Sequence, residues 1–168
     1  QPHNDIIFLS LWRVPLGNDC SEELTSAIKK YAGKSADEII AAGKSIVPNK
    51  AFTSFDNLKA NLGSPGEGNA WHHIVEQCQI KETRAGFATG NIQNTQNIIS
   101  IPTGSGTIHS QISAHYSSIP PQGFTGGKTV RDWLSTQSFD EQFKYGFEML
   151  QQFGEVVPTS SGWKFIEF

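Results

Sequence analysis

The sequence predicts an α+β fold: one mainly helical domain, 1–168, built around a ββα unit in its middle. Three observations lead there. The 168 residues, 37% of them hydrophobic with 11 Phe and 4 Trp, suffice for one packed core and are few for two. Stretches with apolar residues at helical spacing, opened by Ser, Thr or Asp, occupy both ends of the chain. Between them, two short apolar runs flank a polar loop and lead into a further helical stretch, giving the order strand, loop, strand, helix. The parts read as a helical N-terminal scaffold over about 1–63, the ββα core over about 68–118, and C-terminal helices with a tail over about 128–168.

Ile6 to Leu11 is a short apolar run broken by Pro15-Leu16-Gly17-Asn18-Asp19, read as a strand or extended lead-in. Asp19 or Ser21 can cap the next element, a helix. Glu22 and Glu23 suit the positive end of its dipole, Leu24, Ile28 and Tyr31 form its apolar stripe, and Gly33 stops it. Ser35-Ala36-Asp37-Glu38 is a capping-box pattern opening a second helix through Ala42, with Gly43 as its terminator. A third helix starts near Ser54, carries Phe55, Leu58 and Leu62 on one face, and ends at Gly63. Ser64 to Asn69 is a turn-rich loop.

Trp71 to Ile80 reads as a strand with Trp71, His73, Val75 and Gln77 on one face and His72, Ile74, Glu76 and Cys78 on the other. The two histidines then share a site only where the strand ends or bends. Lys81 to Thr95 is a long polar loop, Asn97 to Pro102 a second strand, and Gly104-Ser105-Gly106 a turn. Thr107 can cap a helix with Ile108, Ile112 and Tyr116 as its stripe and His109 in its first turn. Ser138-Phe139-Asp140-Glu141 opens a helix presenting Phe139, Phe143 and Phe147 at i, i+4, i+8. Glu155 to Pro158 and Trp163 to Phe168 are extended pieces around the turn Thr159-Ser160-Ser161-Gly162, a hairpin expected to pack back onto the core.

The net charge of -3 argues against a surface that coats polyanions, but a bound cation with a few local Lys or Arg can still serve a nuclease. No apolar run reaches the roughly eighteen residues of a membrane span. Two cysteines, Cys20 and Cys78, are too few for a thiolate zinc site and are either bridged or separate thiols. Gln1-Pro2-His3 opens the chain without an initiator Met, as expected for a processed secreted chain or a piece of a larger protein. Gly104-Ser105-Gly106 lacks the further glycine and lysine of a phosphate-cradling loop.

Four of the five histidines lie between His72 and His115. Imidazole ligates transition metals and moves protons near neutral pH, so this segment is where chemistry is expected. The run Trp71-His72-His73-Ile74-Val75-Glu76-Gln77, then Asn94-Thr95-Gln96-Asn97-Ile98-Ile99-Ser100-Ile101-Pro102, then Ile108-His109-Ser110-Gln111-Ile112 resembles the His-Me finger (HNH and endonuclease VII) nucleases. It is similar in particular to the paired-histidine versions used as bacterial polymorphic toxin domains. Tyr116-Ser117-Ser118 and Thr129 to Ser135 are similar to the segment downstream of the finger in such toxins, so the likeness covers roughly Gly63 to Gly154.

That resemblance implies a ββα-metal motif with roles residue by residue. His72 and His109 would hold one divalent metal ion (Mg, Mn or Zn), His73 would be the general base, and Asn97 would orient it, with Asn94 as the rival for that task. Glu76, Gln77 and Asn94 are candidates to support a ligand from behind, and Arg131 and Lys128 to touch phosphate. His115 lies six positions after His109, about 120° round a helix, and should not ligate with it. The implied activity is a metal-dependent endonuclease hydrolysing phosphodiester bonds, a DNA-degrading toxin domain secreted or delivered within a larger toxin. It would act inside a target cell, and a cognate immunity protein would protect the producer. A ribonuclease on the same scaffold and a secreted non-catalytic binding domain are the alternatives. His73-Ile74-Val75-Glu76 has metallopeptidase spacing, but Gln77 stands where that pattern needs histidine.

Overall fold

Local capping chemistry sets most helix starts in the computed structural model, which describes residues 20–168; the expected lead-in at 6–11 lies outside them. The first helix, α1, spans Cys20–Tyr31, acidic in its first turn and basic in its last. Helix α2 spans Ala36–Ile46. The Ser35 hydroxyl accepts from the Glu38 backbone N–H at 3.3 Å and donates to the Glu38 carboxylate at 3.2 Å, so this end forms as expected. Its other end does not. Gly43 sits inside α2, because a Cβ there would overlap the Trp163 indole, which is seated on the bare backbone. Helix α3, Phe55–Leu62, is capped by Ser54 and closed by Gly63 at φ 77°.

Strand β1, Asn69–His73, pairs antiparallel with β2, Ile98–Pro102, in the register Asn69↔Pro102 to His73↔Ile98. The strand expected to reach Ile80 therefore stops at His73, and a 3-10 turn, Gln77–Ile80, takes its place. Asn97 explains the stop. Its side-chain carbonyl accepts from Val75 N at 2.8 Å and its amide donates to Val75 O at 3.0 Å, so one side chain replaces the next pair of ladder bonds. The loop expected over 81–95 includes a short helix, α4, Thr89–Ile92, and leads into a 3-10 turn at Thr95–Asn97. Helix α5, Ile108–Tyr116, buries Ile108, Ile112 and Tyr116 and packs on β2, which completes the order strand, strand, helix.

Helices α6, Val130–Leu134, and α7, Phe139–Gln151, come next, the latter capped by Ser138 accepting from Glu141 N at 3.2 Å. Phe143 and Phe147 are buried and Phe139 half-buried. The chain closes as a hairpin, β3 Gly154–Thr159 with β4 Gly162–Glu167. Its Trp163 is buried edge-on to Phe147, 5.2 Å between ring centroids, and donates its indole N–H to Gln96 O at 2.9 Å. The tail thus packs back through Trp163, while Phe168 is 79% exposed. The described residues form an α+β fold of seven α-helices and two small antiparallel sheets. No helix among them is long and apolar enough to cross a membrane.

Candidate active site

His72 and His73 are the last two residues of β1, and the alternation of a strand turns their rings to opposite sides. On one side the His72 ring stands perpendicular to that of His109, with 5.5 Å between centroids. His109 arrives there because Gly104-Ser105-Gly106 turns the chain and α5 starts at Ile108, placing it in the first turn. His72 Nε2 is buried with no hydrogen-bond partner among the described residues. Burial foremost, then the neighbouring His109 and His73, push the His72 pKa down to about 3, so the ring is neutral at pH 7.

His73 meets a different set of partners. Its Nε2 lies 2.9 Å from the Gln93 carbonyl oxygen, and the Gln93 amide donates to Gln77 Oε1 at 2.8 Å. A carbonyl facing the ring calls for the proton on Nε2 and leaves the lone pair on Nδ1. Phe55 of α3 packs edge-on against the same ring, 4.7 Å between centroids. Burial lowers the His73 pKa from its ordinary value, and the Gln93 bond acts in the opposite direction.

The other expected site residues divide. Asn97 touches neither ring; its three side-chain bonds go to Val75 N, Val75 O and Ile92 O, so it holds the backbone two residues beyond His73. Asn94 is a loop residue, bonded to Asn49 at 2.8 Å, Gly90 O and Gln96 N. Glu76 and Arg131, expected near ligand or substrate, pair with each other at 2.7 Å, and Arg131 also donates to Ser117 at 2.9 Å. Its bond to Glu76 is the main cause of the raised Arg131 pKa. His115 has its Nε2 2.6 Å from the Tyr145 hydroxyl. Lys128 is exposed, and Cys78 has no disulfide partner among the described residues.

None of Glu76, Gln77 and Asn94 supports His72; Gln77 instead supports His73 through Gln93. Gln93 and Phe55 are the neighbours that the spacing of the sequence did not single out. Gln93 is one amide among several in a polar loop, and Phe55 belongs to a helix that looks like scaffold. Among the described residues no three or more His, Cys, Asp or Glu side chains converge on one point, so His72 and His109 make a two-imidazole pair. A cleft of about 600 Å³, lined by residues of α2 and α7 together with Asn94, Asn97 and Trp163, is lined by none of the histidines. Comparison of the chain with protein-family models, with curated proteins and with solved structures finds no match.

Proposed function

We propose that this chain is a metal-dependent endonuclease that hydrolyses phosphodiester bonds, acting on DNA. One observation carries the reading. The His72 ring, with a buried nitrogen that has no partner among the described residues, packs against a second imidazole, while the adjacent His73 is held separately by Gln93. An unpartnered buried polar atom costs about 1–3 kcal/mol, a cost that a bound ion would offset, and a pair of facing imidazoles is a donor set for a divalent ion. Mg, Mn and Zn are the candidates, with phosphate oxygens and water as the natural further ligands.

His72 and His109 would hold a divalent ion, which would supply Lewis acidity toward the phosphodiester. The residues of the chain do the rest. His73 Nδ1 takes the proton of the attacking water, and the imidazolium that forms keeps its Nε2–H on the Gln93 carbonyl. Gln77 fixes the Gln93 amide, and Asn97 fixes the backbone that aims the ring. The family resemblance adds the setting: a toxin domain, secreted or delivered within a larger chain, acting inside a target cell and restrained in its producer by an immunity protein.

The test is cleavage of plasmid DNA with Mg²⁺, Mn²⁺ or Zn²⁺, its arrest by EDTA, and its loss in His73→Ala at unchanged fold. The same assay on RNA separates a deoxyribonuclease from a ribonuclease.

A further inference from the structure

The nuclease reading leaves open how a net-negative chain holds a polyanion, and the surface beside His73 supplies an answer. Phe55, whose ring packs at a steep angle against His73, carries the Lys59 ammonium over its face, 4.6 Å from the centroid. One helical turn separates the two residues on α3, so the ammonium and the His73 ring meet the same Phe55 side chain. A second pair repeats the arrangement. Lys50 lies over the Phe52 ring at 5.3 Å, and Phe52 N donates to the backbone carbonyl of Gln93, the residue that holds His73, at 2.8 Å.

Both lysines are exposed, and both rings are half-buried. The cations elsewhere that have close carboxylate partners are committed across the fold: Arg131 to Glu76, Arg84 to Asp132 and Lys144 to Asp37. Lys59 has only Asp56, an exposed neighbour on its own helix at 3.2 Å, and Lys50 has no carboxylate within reach among the described residues. A ring beneath an ammonium orders it without consuming its N–H donors, which stay available to an anion.

Resting on the nuclease reading, we infer that segment 50–59 is the substrate-binding edge of the site, with Lys59 and Lys50 contacting phosphates of the nucleic acid strand presented to His73. Their role is binding and register, since phosphate contacts position a strand without reading its bases.

The test measures binding separately from cleavage. Full-length His73→Ala, or wild-type protein in EDTA should that variant fold poorly, is titrated with end-labelled single-stranded and duplex oligonucleotides between about 50 and 200 mM salt. Lys59→Gln and Lys50→Gln should each weaken binding across sequences and reduce the slope of log K against log salt by about 0.7 for single strands or 0.9 for duplex. Lys34→Gln, past the end of α1, should keep the full slope. Unchanged slopes in the Lys59 and Lys50 variants, or an equal loss in Lys34→Gln, overturn this inference while cleavage by the wild type still stands. Absence of both cleavage and binding in the wild type overturns the nuclease reading and this one together.

Discussion

His72 and His73 differ by one residue and by everything around them. The first faces another imidazole with a bare buried nitrogen; the second is tied to Gln93 and walled by Phe55. If Gln93 sets the tautomer of a base, Gln93→Ala should lower kcat by about 10- to 100-fold, as loss of a supporting hydrogen bond does, and should cost about 1–3 kcal/mol of stability for the partners left unpaired. Steady-state kinetics beside a thermal melt checks this. If His72 is a ligand, His72→Ala should weaken Zn²⁺ or Mn²⁺ binding by at least about 10-fold in a calorimetric titration. The histidine pair was legible because two adjacent imidazoles stand out in any sequence. Gln93 was not, because its role comes from a loop folding back over β1, and nothing in its neighbours marks that.

At the scale of elements, what is local was readable and what is long-range was not. Ser35, Ser54 and Ser138 each bond a backbone N–H three residues on, and no tertiary contact is needed to expect it. The end of β1 depends instead on Asn97, more than twenty residues later, whose amide takes over the pairing of Val75. Gly43 shows the same limit, since its reason is the Trp163 ring at the far end of the chain. Gly146 of α7 has a like role near the site: a Cβ there would collide with the carbonyl oxygen of Ile74, the residue after His73. Gly146→Ala gains helix propensity yet should destabilise by about 1–3 kcal/mol through overpacking. Denaturant unfolding measures it, and activity should fall as well because the backbone that aims His73 must move.

The whole molecule joins the strand pair to the helices through one cluster of buried residues, which includes Ile74, Ile99, Ile112, Phe147 and Trp163. The C-terminal hairpin lies beside β2, and Trp163 is bonded to Gln96, next to Asn97. Trp163→Ala should therefore cost about 3–5 kcal/mol, visible as a lower denaturant midpoint, and should loosen the segment that holds His73. That the fold is α+β was legible in the order of apolar runs. That its last strand supports the middle of the chain was not, because composition and periodicity carry no information on which distant faces meet. The central claim is that His73 is a base beside a metal held by His72 and His109, and plasmid cleavage by the full chain tests it most directly. Nicking with added divalent metal that EDTA abolishes, and that His73→Ala lowers by about 10²- to 10⁴-fold while the variant stays folded at the assay temperature, is the predicted result. A folded His73→Ala variant that cuts as fast as the wild type would contradict it.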